Sequence, residues 1–322
     1  EPYRRQRQMC IRDRLYNELT NKKDNELLKI WEDSKKEKTK RKIVILVVLI
    51  IVDILVALRF SEAIRSVRDV FIIIATILFY DLIIGVIVNA LIQSKTRKYN
   101  SVYKTKVVEK IIKNFFDEVD YIPEKPLPSK IYDEGKYDEN YNRYYSDDYV
   151  DAKLDNKYDL KMAEVKTVYE TTYTDSDGHT HTDRVTRFHG LFIKIKIDKS
   201  IKNNLTIKQN GTIQKKERLE MDSSEFEKYF DVSSNNDIIG MQILTHDVME
   251  LLLEYRKYLK CPFDICIYED IVYIRIHCGT MFEATISSKV LIDREKTEEY
   301  YNMLEFIYKL SKEVIKMSDD DY

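Results

Sequence analysis

Two stretches of almost unbroken apolar sequence dominate the first third of the chain. Ile43–Leu58 (IVILVVLIIVDILVAL) is interrupted only by Asp53, and Val70–Ile92 (VFIIIATILFYDLIIGVIVNALI) holds Asp81, Gly85 and Asn89. A helix needs about 20 mostly apolar residues to cross the roughly 30 Å of a bilayer core. The second run meets that length, and the first does if Lys42 and Arg59 snorkel to the interfaces. Only eleven residues separate the runs, and no small-residue cleavage site follows the first. The pattern therefore predicts a two-helix transmembrane hairpin rather than a signal peptide. Lys35–Lys42 (KKEKTKRK) carries six basic residues against one acid, and Lys95, Arg97, Lys98, Lys104 and Lys106 follow the second run. With positive charge retained on the cytoplasmic side, both ends and the bulk of the chain are expected in the cytoplasm.

Ahead of the hairpin, Leu15–Asp33 reads as amphipathic helix. Beyond it, Val108, Ile111, Ile112, Phe115, Phe116 and Val119 recur at helical spacing and predict a helix ending at Ile122-Pro123. Tyr132–Tyr149 then carries six Tyr and six Asp or Glu, a composition expected of an irregular, partly packed segment. From about Asp151 the pattern turns to strands. Met162–Thr174 and Thr182–Ile197 flank Asp175-Ser-Asp-Gly178 as a long hairpin, and Leu205–Gln209 with Thr212–Glu220 flank Asn210-Gly211 as a second. Phe263–Tyr268 and Ile271–His277 form a third, and Met281–Ile286 a further strand. Thr245 caps a helix through Leu259, and Glu295–Met317 closes the chain with one apolar face. The expected fold class is α+β: an N-terminal transmembrane hairpin, then a cytosolic domain of mainly antiparallel strands with packed helices and a long C-terminal helix. In segments, this is 15–42 basic and amphipathic, 43–92 hairpin (43–58 and 70–92), 93–150 juxtamembrane helix and linker, and 151–322 the α+β domain.

Composition changes this picture in few places. The 322 residues carry 53 basic and 55 acidic side chains, a net charge of −2, so no global basic field recruits nucleic acid. Arg4–Arg14 (RRQRQMCIRDR) reads as a translated sequencing adapter, so residues 1–14 are set aside and native sequence is expected from near Leu15. Cys10 goes with that segment. Cys261, Cys266 and Cys278 have no C-x-x-C spacing and read as buried, reduced thiols, in keeping with a reducing compartment.

Asp53 and Asp81 are the sharpest chemical feature. Each lies about ten residues, hence about 15 Å, inside its apolar run. An intramembrane carboxylate suggests proton or cation handling, against the alternative of protonated carboxyls bonded across the helix pair. His179 and His181 lie near Asp175, Asp177 and Asp183, where turn sequence outweighs a metal site. Asp175-Ser-Asp-Gly-His179 opens like a calcium loop, but its glycine comes too early and position twelve is Thr186. No Walker loop, G-x-G-x-x-G or G-x-S-x-G is present. Pairing Cys261, Cys266 or Cys278 with His246 or His277 as nucleophile and base has no support over core packing. Catalytic, cofactor-binding and metal-ligating residues are assigned to none, and enzyme activity is not expected, a hydrolase being the alternative.

Ser-Ser-Glu-Phe226-Glu-Lys-Tyr-Phe230-Asp-Val232, followed by Gln242-Ile-Leu244-Thr245, a Leu-rich helix and the Phe263–His277 hairpin, forms a specific pattern. Together with Phe188-His-Gly190-Leu-Phe192 and Tyr145-Ser-Asp-Asp-Tyr149, it resembles the bacterial DUF3137 family of uncharacterised membrane-associated proteins, over roughly Lys95–Ile286. The resemblance implies a membrane hairpin before a cytosolic domain at the inner membrane and brings no catalytic residues. In physical terms, Phe226 and Phe230 lie one helical turn apart, suited to docking a short helix on the sheet. Gly190 suits a bulge or a close backbone approach. The expected function is protein–protein interaction or scaffolding at the membrane, with the lipid bilayer and a protein partner or second copy as partners. The alternative is oligomeric ion or proton transport through Asp53 and Asp81.

Overall fold

The computed structural model describes residue 17 and residues 25–60, 67–137, 140–198, 204–259, 261–284 and 292–319. Its described residues divide into two units, one from residues 17–104 with 284 and 292–293, the other from residues 105–283 with 294–319. In the first unit, helices α1 (Asn25–Phe60) and α2 (Val67–Tyr103) pack against each other.

Among the described residues no helix is long and apolar enough to cross a membrane, which overturns the expected transmembrane hairpin. The physical reason is clearest in α1. The sixteen residues 43–58, fifteen apolar and one Asp53, rise about 24 Å at 1.5 Å per residue, short of the about 30 Å core. A transport route through Asp53 and Asp81 depends on such a crossing and loses its basis with it.

The second unit is built on one eight-stranded sheet, antiparallel throughout, in the order β1-β2-β3-β4-β8-β7-β5-β6. Its strands are β1 (Asp117–Ile122), β2 (Arg143–Leu154), β3 (Tyr158–Thr174), β4 (Thr180–Lys196), β5 (Asn204–Gln209), β6 (Phe230–Ser234), β7 (Phe263–Tyr268) and β8 (Ile271–Ile276). The helices are α3 (Glu109–Ile112), α4 (Ser129–Asp133), α5 (Ser224–Glu227), α6 (Asp237–Ile243), α7 (His246–Leu259) and α8 (Arg294–Asp319). The β3–β4 and β7–β8 hairpins match the alternating sequence pattern.

Strand alternation gives the sheet two unlike faces. On one, Leu191 and Ile193 lie opposite Ile276 and Ile274, and Ile265 pairs with Ile274 in turn. This face is roofed by α7 and α8. Phe306 of α8 stacks 4.8 Å from Phe263 and 4.9 Å from Tyr255, and Met303, Leu304, Ile307 and Leu310 are buried beside it. Burying this apolar surface is favourable at about 25 cal/mol per Å². The opposite face is aromatic and polar. The segment around α4 covers it, with Leu127, Tyr132 and Tyr137 packed on Ala163, Val165, Phe188, Phe192, Cys266 and Tyr273.

Three local expectations need correcting. The helix after residue 108 stops at Ile112, and Asp117–Ile122 is strand β1, paired with β2 through Tyr121 and Val150. Residues 212–220 do not pair with β5, whose neighbours are β6 and β7; a single bridge joins Leu219 to Val232. The cause is Asp231, whose Oδ2 accepts the backbone N–H groups of Gly211, Thr212 and Ile213 at 2.8–3.0 Å and curls that segment into a loop. Finally, residues 281–284 form no strand, and Ser287 onward to 291 and residues 285–286 lie outside the described residues.

Candidate functional site

The aromatic face centres on a buried charge. Arg275 of β8, 5 % exposed, reaches Asp264 of β7 through Nη2 at 2.6 Å and donates from Nη1 to the Tyr132 hydroxyl at 3.1 Å. The register places the two strands' residues directly opposite, Asp264 against Arg275, so the pair is fixed by the hairpin itself. The guanidinium lies 3.7 Å from the centroid of the Tyr137 ring and 5.1 Å from that of Phe188, a desolvated cation–π arrangement. His277 Nε2 lies 3.0 Å from the same Asp264 oxygen, and its ring meets Phe188 edge-on at 5.0 Å. Burial pushes the Asp264 carboxyl up, but the bond from His277 and the charge of Arg275 outweigh it and hold the group below its usual range. The Tyr137 hydroxyl is buried with no hydrogen-bond partner among the described residues, and burial raises it well above the ordinary phenol.

A second buried cluster sits where β2 bulges against β3. Asp147 pairs with Glu164, the register then slips before Val150, and Asp148 takes a positive φ of 55°. The bulge brings both aspartates to Glu164, so that carboxylate oxygens of all three lie within 4.8 Å of one another. Three hard oxygen donors are the beginning of a cation site. The chain's own donors already engage the two buried members. The Tyr121 hydroxyl donates to Asp148, and the Met281 N–H donates to Glu164 Oε2 at 2.8 Å. Burial first, then the charge of Asp148, keeps Tyr121 protonated as the donor. His189 Nε2 lies 3.7 Å from Glu164, and burial followed by Lys166 lowers its affinity for a proton. What this arrangement does is pin residues 280–283 to the sheet. Sequence reasoning passed over it because Glu164 joins Asp147 only through the β2–β3 register, which no local motif reports.

The third feature is an arm. The β3–β4 hairpin outruns its neighbours, since β2 pairs with β3 only as far as Val168 and β8 with β4 only from Leu191. Residues 171–174 and 180–187 are exposed. Its tip is tied by Asp175, which accepts the N–H groups of Asp177 and His179 and contacts His181 Nε2 at 2.7 Å and His179 Nδ1 at 3.6 Å. Both histidines singled out in the sequence thus serve one turn carboxylate, which their bonds hold below the usual range.

The remaining sequence candidates are placed as follows. Asp53 is half-buried in α1, and its Oδ1 has no hydrogen-bond partner among the described residues. Asp81 belongs to α2, and its side chain lies outside the described residues. Phe226 and Phe230 stack at 4.9 Å, and Phe230 meets Phe263 at 5.3 Å, on the helix-roofed face. Val232 and Leu244 are buried beside this group and Phe188 lies in the aromatic face. At Gly190 an added Cβ would meet the Ile276 carbonyl oxygen at 1.9 Å, so β8 approaches as closely as only glycine allows. Burial pushes the Cys261 and Cys266 thiols up to about 11 and raises Cys278 further. His246 faces Glu250 on the exposed side of α7, and His277 serves Asp264.

The family model DUF3137, described as a protein of unknown function, matches residues 186–316. The matched segment runs from the end of the arm through α8. It holds Phe188, Gly190, Phe226, Phe230, Val232 and Leu244, and leaves the Tyr145–Tyr149 motif outside. A solved structure, the crystal structure of the mycobacterial trehalose monomycolate transport factor A, TtfA, is similar over 64% of this chain and 93% of that one, with 8% sequence identity and a TM-score of 0.34. No curated protein matches the chain.

Proposed function

We propose that the protein is a non-catalytic scaffold whose helical unit is covered by a lipid surface and whose α+β unit engages protein. The observation that carries the reading is the row of exposed aliphatic and aromatic side chains on α1 and α2, among them Val47, Ile51, Leu55, Leu58, Phe79 and Val86, each at least 47% exposed. Contiguous apolar surface of this extent is not left to water. Lys35–Lys42 precedes it on the same helix, complementary to anionic headgroups at about 1 kcal/mol per near-surface cation. Lipid contact of this kind asks for no crossing. In the α+β unit the buried charges are matched internally, and the features that face outward are strand edges and polar turns, which suit recognition rather than chemistry.

Flotation of the full chain with vesicles of mixed neutral and anionic lipid tests the lipid half. The protein is expected to float, to float less on purely neutral vesicles, and to lose flotation when Val47, Ile51 and Leu55 are all changed to Asp. Equal recovery in the bottom fraction with and without vesicles overturns the reading.

A further inference from the structure

The geometry points to the free edge of β4 in the arm as a pairing surface for a second copy of this chain, the two edges joining antiparallel about a twofold axis through Val185.

The two sides of the arm differ in a way that selects this edge. On the β3 side the ladder is capped. The Asn142 side chain accepts the Glu170 N–H at 2.8 Å and donates to the Glu170 carbonyl at 2.7 Å, taking the place of a further paired residue. Arg143 and Arg184 both grip the Glu170 carboxylate, at 2.9 and 2.7 Å. The β4 edge from Thr180 to Arg187 has no such cap among the described residues. Open edges are routinely blunted by charge, proline or a covering loop, because unpaired ladder groups template pairing with another chain.

Register and charge then select the partner. Tyr169 pairs with Val185, Thr171 with Asp183 and Tyr173 with His181, so these six side chains share one face of the arm. Val185 and Tyr173 are each 49% exposed, and Tyr173 stacks on His181 at 5.4 Å. Arg187 is the extra residue of a bulge, lying between the Thr167–Phe188 and Val168–Thr186 pairs, and its guanidinium reaches the same face, 5.6 Å over the Tyr169 ring. Asp183 and Arg187 form no ion pair within the chain among the described residues. In two antiparallel strands related by a twofold axis normal to the sheet, directly opposite residues lie on the same face, so the axis passes through a residue. An axis at Asp183 sets that acid against itself, and one at Arg184 does the same for two guanidiniums. With the axis at Val185, the two valines meet, and each Asp183 lies opposite Arg187 of the second copy. Symmetry makes that pair twice. Opposite charges and apolar pairs placed directly across a ladder are the stabilising kind, and like charges the destabilising kind. This inference does not depend on lipid binding.

The test uses the full chain in mild detergent, with Val185→Cys oxidised by copper-phenanthroline and separated on a non-reducing gel. Thr172→Cys is the control: it is exposed on the same arm but one strand away from the edge, beyond disulfide reach. A covalent dimer is expected from Val185→Cys well above the level of Thr172→Cys and of the unmodified chain. Adding Arg187→Asp should lower the dimer yield about tenfold, because the like charges it creates recur at both symmetric positions. Exchanging the pair, Asp183→Arg with Arg187→Asp, should restore the yield. Dimer from Val185→Cys no greater than from Thr172→Cys overturns the inference, and so does a charge exchange that fails to recover what the single reversal lost. Association through the apolar helices would leave the yield indifferent to residues 183 and 187, which also counts against it.

Discussion

Replacing Arg275 with Met tests whether the aromatic face is held by its buried charge or merely tolerates it. The change removes the 2.6 Å ion pair to Asp264, the 3.1 Å bond to the Tyr132 hydroxyl and the stack on Tyr137. It leaves a carboxylate 6% exposed with His277 as its remaining neighbour of opposite character. Breaking a buried pair on one side costs about 3–5 kcal/mol, because the partner's charge stays behind without compensation. That is a large share of the about 5–15 kcal/mol that holds an ordinary domain together. Replacing both members, Asp264→Leu with Arg275→Met, removes the stranded charge and should recover most of the loss.

The sign of the pH dependence follows from the same groups. In the native chain the Asp264 carboxyl is held below its usual range. Its contribution is therefore present above the unfolded value of about 3.9 and is lost as pH falls through the lower folded value. In Arg275→Met the facing groups are His277, Tyr132, Tyr137 and Cys266, none of them a fixed cation, so burial pushes the carboxyl upward. Its penalty is then felt at neutral pH and relieved on acidification. The stability gap between the two proteins should be widest near pH 7.5 and narrow by pH 4.5. Urea titrations followed by far-UV circular dichroism give the gap at each pH; the chain's one tryptophan, Trp31, belongs to α1 and not to the α+β unit. A gap below about 1 kcal/mol, a gap that does not narrow, or a double variant as weak as the single one would refute the reasoning.

Three further outcomes are expected. Gly190→Ala forces a Cβ to within 1.9 Å of the Ile276 carbonyl oxygen and should cost about 3 kcal/mol or more; an unchanged melting temperature contradicts the close approach. Asp231→Ala removes the acceptor shared by three backbone N–H groups and the 2.8 Å ion pair with Arg218. About 3 kcal/mol is expected from losing charged hydrogen bonds, with amide exchange accelerating at Gly211, Thr212 and Ile213 while β7 and β8 stay protected. Cys261, raised to about 11 by burial, should alkylate slowly at pH 7.5 and about tenfold faster per pH unit above it; iodoacetamide labelling read by mass spectrometry, at a rate equal to that of free glutathione, goes against this.

Much of the fold follows from period and turn chemistry alone. The β3–β4 hairpin is legible because alternation over residues 162–197 brackets an Asp-Ser-Asp-Gly turn, and α8 because Tyr300, Met303, Leu304, Ile307 and Leu310 keep a helical period. Failures occur where a distant side chain overrides the local signal. Asn210-Gly211 reads as a hairpin turn, yet Asp231, twenty residues on, takes the amides that a strand would have needed. Residues 117–122 continue an apolar period that looks helical, and the β2 edge captures them as strand instead. The two buried charge clusters are invisible for a related reason. Asp264 and Arg275, or Asp147 and Glu164, become neighbours only once strand register is fixed.

These placements also explain why the arm is the part of the α+β unit suited to recognition. A sheet gains a rigid scaffold when each face is closed and each buried charge is matched. One face here is closed by α7 and α8 and the other by the aromatic segment around α4, with Arg275 and Glu164 each bonded to groups of the same unit. The arm belongs to neither layer. It extends β3 and β4 past the ends of β2 and β8, so its backbone is positioned by the sheet without being covered by it. Stiff strands with one capped and one open edge lose little conformational entropy on pairing. Any partner must meet that edge at a register set by Asp183, Val185 and Arg187. Selectivity would then arise from charge order along a few residues, which is how an otherwise promiscuous ladder of N–H and C=O groups can reject most strands that approach it.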